Sequence, residues 1–211
     1  MTPHAALACG LKELGFAVSG AAEEKLLAYR ELLEKWNRTY NLTAIRDPVE
    51  MVTHHLLDSL AAVPHLSLRR EERLADVGSG SGAPGIPIAI VRPEWFVALN
   101  DASEKKAAFL RQAAIELKLE NVAVQEGRVE AWKPAEAFAL VISRAFADIA
   151  TFIRACRHLL ADGGVLASMK GVYPRDELER AAEGWTHRVV ALDVPMLGAE
   201  RHLVLSRAER R

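Results

Sequence analysis

Asp76-Val77-Gly78-Ser79-Gly80-Ser81-Gly82-Ala83-Pro84-Gly85 puts four glycines within eight residues, directly after the apolar run Leu74-Ala75-Asp76-Val77. The run predicts a short buried strand. Ile86-Pro87-Ile88-Ala89-Ile90-Val91 predicts a helix begun near Pro84, because proline at a first helical position gives up no hydrogen bond. Strand, glycine loop and helix start is the layout of a nucleotide-type ligand site. Glycines let the backbone turn tightly and let a ligand approach with no Cβ in the way.

The loop reads in two frames. Gly80-Ser81-Gly82-Ala83-Pro84-Gly85 is a literal G-x-G-x-x-G, the dinucleotide fingerprint. Read from Asp76, the same residues are D-x-G-x-G-x-G, the S-adenosylmethionine (SAM) loop of Rossmann-like methyltransferases. A third reading, glycines that merely turn the chain, is disfavoured by the strand before and the helix after. The rest of the chain has to choose between the first two.

A length of 211 residues fits one domain, or a domain with a small extension, and half the residues are hydrophobic, enough for a sizeable core. Lys+Arg is 27 against 28 Asp+Glu, so no global basic excess advertises nucleic-acid binding, although a local basic face on a neutral protein serves equally well. Cys9 and Cys156 lie far apart, which argues against a disulfide or zinc framework and for a reducing, cytoplasmic compartment. No signal peptide and no membrane-spanning run are apparent. Arg207-Ala208-Glu209-Arg210-Arg211 reads as a frayed charged tail.

Residues 1–68 carry helical signals and no strand signal. A short helix over residues 4–15 is followed by a longer one capped by Ser19 and running to about Arg38, with Leu26, Tyr29, Leu33 and Trp36 on its apolar face. Tyr40–Ile45 reads as a loop. Asp47-Pro48 starts a third helix that carries His54, His55 and Asp58. From residue 69 the texture changes to alternation, with strands predicted at 74–77, 95–99, 122–126, 138–143, 165–170, 185–194 and 202–206. Helices are predicted over 104–117, from Asp148 to a stop at Asp162-Gly163-Gly164, and over 175–183. The last two strands are too close for a helix between them and should pair antiparallel. The chain thus divides into an N-terminal helical extension, 1–68, and an α/β domain, 69–211.

This pattern chooses the frame. Alternating strands and helices imply a mostly parallel sheet. A dinucleotide dehydrogenase needs a second mononucleotide half and a substrate domain, and there is room for neither. Five strand–helix units closed by a C-terminal antiparallel hairpin is the layout of the Rossmann-like class I SAM methyltransferases. Such sheets bind ligands at the carboxyl ends of their central strands. Asp101, about twenty residues after the loop, suits the two hydroxyls of a ribose, or alternatively caps the helix from Glu104. Val129-Glu130 follows the third strand, where backbone groups meet an adenine edge, although Glu130 alone reads equally as a solvated charge. Arg144 follows the fourth strand, where a methyl acceptor docks and a guanidinium can stack on a base or fork to a phosphate. Lys170 ends the fifth.

His54-His55 does not read as a metal pair, because adjacent helical residues point about 100° apart and no third ligand is suitably spaced. His55 and Asp58 share a helix face and can pair there. Scattered cations such as Lys105, Lys106, Arg111, Arg154, Arg157 and Arg175 read as solvated faces, some of them available as an RNA footprint.

Trp36-Asn37, Asn41-Leu42-Thr43 and His55-Leu56-Leu57-Asp58-Ser59 resemble the N-terminal signature of the RsmG (GidB) ribosomal RNA methyltransferases. Asp76-Val77-Gly78-Ser79-Gly80 with Pro84-Gly85-Ile86-Pro87, Ile142-Ser143-Arg144-Ala145, Lys170-Gly171 and Glu200-Arg201-His202-Leu203 are similar to that family as well, so the resemblance spans nearly the whole chain. Ala102 departs from it, standing where the family often has serine after the acid. The resemblance implies SAM as cofactor, with contacts at Gly78, Ser79, Gly80, Ala83, Asp101, Val129, Glu130 and Arg144. It implies methyl transfer to N7 of one guanine in small-subunit ribosomal RNA near the decoding region, on free RNA or a 30S particle. Arg144, Lys170 and His55 would face the acceptor. Guanine N7 carries an in-plane lone pair, so no general base, covalent nucleophile or metal is expected, only positioning. A monomer without membrane attachment is expected. The competing functions are a small-molecule SAM methyltransferase and a non-catalytic SAM-binding RNA adaptor.

Overall fold

In the computed structural model, which describes residues 1–15, 17–144 and 146–209, the runs predicted as strands form one sheet. The strands are β1 (Arg73–Val77), β2 (Phe96–Asp101), β3 (Val122–Glu126), β4 (Phe138–Arg144), β5 (Leu160–Lys170), β6 (Trp185–Ala191) and β7 (His202–Ala208). They lie in the order β3-β2-β1-β4-β5-β7-β6. The first five run parallel, and β7 inserts antiparallel between β5 and β6. This is the predicted fold class, with its C-terminal antiparallel hairpin. Strand order reverses between β1 and β4, which opens a crevice at their carboxyl ends.

The two-residue strand period sorts the core. Leu74, Leu99, Leu140 and Ile142 point to one face, and Ala75, Ala98, Val141 and Leu166 to the other. On the first face pack α1 (Pro3–Glu13), α2 (Gly20–Tyr40), α4 (Asp58–Ala62), α5 (Gly85–Val91) and α6 (Glu104–Glu116), after the short α3 (Pro48–Met51). On the second packs α7 (Ile149–Cys156), and α8 (Arg175–Glu179) lies against it. Leu7, Leu26, Leu33 and Leu57 belong to the same core cluster as Leu74 and Leu140, so residues 1–68 are packed onto the sheet. Gly10 of α1 sits against Leu57, where a Cβ would overlap the leucine side chain.

Local signals placed the helix starts. Ser19 Oγ accepts from Ala22 N, Asp47 from Val49 N and Glu50 N, and Asp148 from Thr151 N. Other expectations are corrected. The third helix is not uniform: Val52–Leu57, between α3 and α4, is a π-helical turn. Pro84 precedes α5 instead of opening it, and the Ala83–Pro84 peptide is cis. Asp162-Gly163-Gly164 does not stop a helix. α7 ends at Cys156, and the glycines lie inside β5, which pairs Leu160 with Phe138 across a register shift. A Cβ at Gly164 would press on the carbonyls of Ala161 and Phe138, so glycine serves close backbone approach there. The helix expected over 175–183 ends at Glu179, and the strand expected to reach 194 ends at Ala191. Arg207 and Ala208, expected to fray, are ladder residues of β7, and Glu209 N bonds Gly184 O. Arg210 and Arg211 of that tail, and Ala145 of the segment after β4, lie outside the described residues.

Candidate functional site

The loop after β1 is held by backbone amides on two carboxylates. Gly80 N donates to Asp101 Oδ2 and Ser103 N to Asp101 Oδ1, each at 2.9 Å. Gly85 N donates to Asp76 Oδ2 at 2.9 Å. Ser79 Oγ donates to the Asp76 carbonyl, and Ser79 N to Asn100 O. Gly78 and Gly80 take φ of 69° and 57°, the left-handed region. Around both, a Cβ would meet nothing nearer than 3.7 Å, so the concave side of the loop is open. Gly85 is different: a Cβ there would stand 2.7 Å from Asp76 Oδ2, and its bareness lets the helix start close on the strand. Asp76 is fully buried and its Oδ1 has no hydrogen-bond partner. Burial pushes its carboxyl up to about 7, against the Gly85 amide and the Arg144 charge, which pull it down. Under the loop, the buried Tyr29 hydroxyl donates to Ser81 O at 2.7 Å, and burial raises its phenol far above the usual range.

Asp101 is buried, with one amide on each oxygen and further lone pairs left on both. Its bond to Ser103 N also organises the entry to α6, so both readings of this residue have a physical basis. Ser103 itself makes no capping bond through its side chain. Ala83 and Val129 are buried, whereas Glu130 is exposed and 3.5 Å from Arg128.

Across the crevice, the π-helical turn shapes the second half of the site. The Asp58 N–H bonds Thr53 O, five residues back, and passes over the His54 carbonyl. That carbonyl accepts from Arg144 Nη1 instead. Arg144 Nη1 also reaches Asp58 Oδ2 at 3.1 Å, and Nη2 lies 3.1 Å from His55 Nδ1. A guanidinium only donates, so Nδ1 is the acceptor and His55 carries its proton on Nε2, 3.0 Å from Thr43 Oγ1. Burial, with the Arg144 charge behind it, lowers His55 to about 3, so the ring is neutral at ordinary pH. Asp58, almost fully buried, is shared: its Oδ1 accepts from Arg201 Nε at 3.1 Å.

These groups surround a cavity of about 380 Å³ lined by Ile45, His54, His55, Asp58, Arg144, Met169, Lys170, Gly171 and Arg201. The structure therefore brings His55, Arg144 and Lys170 together around one cavity. It does not leave Lys170 free. The Nζ is 2.8 Å from Glu177 Oε2 and donates to Ala147 O. Asp58 proves to be the hub of the cluster, and Arg201 was not singled out as a site residue. The expected antiparallel pairing of the last two strands does not reach it: the pairing of β5 with β7, which sets Lys170 opposite His202, brings Arg201 to the cavity. Cys156 is a core thiol, pushed up to about 12 by burial. Among the described residues, no group of three or more His, Cys, Asp or Glu could hold a metal ion, and no helix is long and apolar enough to cross a membrane.

A family model described as rRNA small subunit methyltransferase G matches residues 22–204. The chain is 52% identical over 200 residues to ribosomal RNA small subunit methyltransferase G of Burkholderia ambifaria, covering 92% of this chain and 88% of that protein. It is 53% identical over 199 residues to the protein of the same name from Laribacter hongkongensis, covering 94% and 95%. Among solved structures it is similar to DhpI in complex with SAH, with TM-score 0.58, 18% identity and coverage of 91% and 98%. It is also similar to the tRNA methyltransferase TrmI from Aquifex aeolicus, with TM-score 0.60, 16% identity and coverage of 74% and 69%. At those identities the structural likeness speaks for the fold.

Proposed function

The chain belongs to the rRNA small subunit methyltransferase G family, and from that membership we propose that it transfers the methyl group of SAM to N7 of one guanine in small-subunit ribosomal RNA, near the decoding region. The observation that carries the reading, beside the family, is the meeting of the open glycine loop and the Arg144 cluster where strand order reverses.

The residues present fit SAM. Asp76 Oδ1 is a buried carboxylate oxygen without a partner, placed where a cationic ligand is favoured over an anionic pyrophosphate. Gly78 and Gly80 leave a concave backbone surface that a side chain would obstruct. Gly78, Ser79, Gly80 and Ala83 would hold the amino-acid part. Asp101 would accept the ribose hydroxyls on its remaining lone pairs, and backbone at Val129-Glu130 would meet the adenine. When bound, SAM supplies an electrophilic methyl group on a sulfonium.

The chain's own contribution is positioning. Arg144 links the two halves, its charge acting on Asp76 and Tyr29 while its donors are held by His54, His55 and Asp58. His55, neutral and hydrogen-bonded on both nitrogens, orients Arg144 and has no free ring nitrogen to act as a general base. That suits an acceptor atom which needs no deprotonation. Residues 1–68 supply one wall of the acceptor cavity, with Ile45, His54, His55 and Asp58, and 69–211 supply the rest of its lining and the cofactor side. The loop and the cavity are both built from residues of one chain, which supports a monomer, and a ribosomal substrate supports a cytoplasmic location.

The test is incorporation of labelled methyl from SAM into small-subunit RNA, as free RNA and as assembled subunits, from cells lacking the protein. Cleavage at 7-methylguanine followed by primer extension should give one stop that appears only with the protein. SAM binding without incorporation into either substrate would overturn the reading in favour of an adaptor, and methylation of a metabolite alone would favour the small-molecule enzyme.

A further inference from the structure

The cations around the cavity are not equally available. Lys170 is neutralised by Glu177. Arg144 has Nη1 on the His54 carbonyl and Asp58, and Nη2 on His55. Arg201 has Nε on Asp58 Oδ1 at 3.1 Å and Nη1 on the Glu200 carbonyl at 2.8 Å. Its Nη2 makes no hydrogen bond among the described residues, although the side chain lines the cavity and is only 22% exposed. Two tethers fix the plane of this guanidinium and leave both N–H groups of Nη2 without a partner.

We propose that Arg201 is the residue that reads the acceptor base, its free Nη2 donating to O6 of guanine. The assignment rests on the guanine-N7 reading above. Guanine presents N7 and O6 as adjacent acceptors on one edge, and an unrestrained arginine fork takes both. A fork on N7 would occupy the lone pair that must attack the methyl carbon. In Arg201, Nε is held by Asp58 and Nη1 by the Glu200 carbonyl, so Nη2 is the nitrogen with no partner among the described residues, and donating it to O6 leaves N7 bare. Adenine would turn an exocyclic amine, a donor, toward the same donor and be refused. The charges agree: Arg144 and Arg201 against Asp58, with Lys170 cancelled by Glu177, leave one net positive charge facing an edge of two acceptors. The transferred methyl brings its positive charge onto the base, so the same field that draws guanine in repels 7-methylguanine and aids release.

The experiment compares small subunits reconstituted with guanine, or with 2-aminopurine, at the target position. 2-Aminopurine keeps N7 and lacks O6. Wild type should lose about tenfold in kcat/KM on 2-aminopurine, the scale of one hydrogen bond to a charged donor. Arg201→Ala should lose about tenfold on guanine and nothing further on 2-aminopurine, with SAM affinity by calorimetry unchanged. Arg201→Lys keeps a charge beside Asp58, guards against a folding defect and should recover part of the guanine activity. Full activity of Arg201→Ala on guanine overturns the assignment. So does an equal loss on both bases, which marks a phosphate contact. Wild type that methylates neither base overturns the function on which the assignment rests.

Discussion

The glycine loop and the acceptor cavity are built from different materials. In the loop, backbone amides reach carboxylates over short chain distances: Gly85 to Asp76 across nine residues, Gly80 to Asp101 across 21. In the cavity, side chains meet side chains from opposite ends of the sequence: Arg144 to Asp58 across 86 residues, Arg201 to Asp58 across 143. The loop owes its shape to missing side chains, so it is broken by adding a carbon. The cavity owes its shape to one shared charge, so it is broken by deleting it.

The hub is the place to break that contrast hardest. Asp58→Ala strands two guanidiniums whose side chains are only 21% and 22% exposed. It should cost about 3 kcal/mol of unfolding free energy, toward the lower end for a buried pair left half-made. Methyl transfer should be lost, with SAM binding retained if the loop is independent. Urea unfolding with calorimetric SAM titration checks both. Gly85→Ala is the complementary test. Its Cβ would press on Leu99 and Asp76, costing about 2 kcal/mol and SAM affinity together. Retained SAM affinity in that variant would mean that the loop does not depend on the close start of α5. Tyr29→Phe should be milder, about 1 kcal/mol, from the Ser81 carbonyl left without its donor, read as a fall in melting temperature.

The smallest effects sharpen the comparison through pH. Asp76 is raised to about 7 in the folded protein from its ordinary 3.8, so the unfolded chain ionises first. Its contribution to stability is full below pH 3.8 and is lost as pH rises to about 7. His55 is lowered to about 3 from 6.5, so its contribution is full above pH 6.5 and is lost as pH falls to about 3. Relative to wild type, Asp76→Asn should gain stability on going up through the first window. His55→Gln should gain on going down through the second. Parallel slopes in pH-dependent urea unfolding would show that burial, common to both, does not set their titration.

What was legible in the sequence follows the same division. The glycine loop, the strands and the caps at Ser19, Asp47 and Asp148 are marked by local sequence, the caps being satisfied within three residues, and all are readable. The π-helical turn was not. Buried Val52, Leu56, Leu57 and Leu60 fit either helical period, and the carbonyl that the wider turn frees is taken by Arg144, a residue 90 positions away. Gly163-Gly164 misled because a pair of glycines stops a helix as readily as it permits two backbones to touch. Lys170 is expected to face the acceptor, and nothing in the local pattern shows that Glu177, from α8, folds back onto it. Arg201 needed the insertion of β7 between β5 and β6, a fact of topology.

The bond between Asp58 and Arg201 also bears on how the protein is made. A chain leaving the ribosome completes the glycine loop and its parallel strands well before residue 201 emerges. Until β7 inserts, Asp58 lacks one of its two arginines and the acceptor cavity lacks a wall. A prematurely terminated chain that holds the parallel strands together therefore carries a cofactor loop without an acceptor pocket. β7, synthesised after the parallel strands, joins completion of the sheet to the competence of the site.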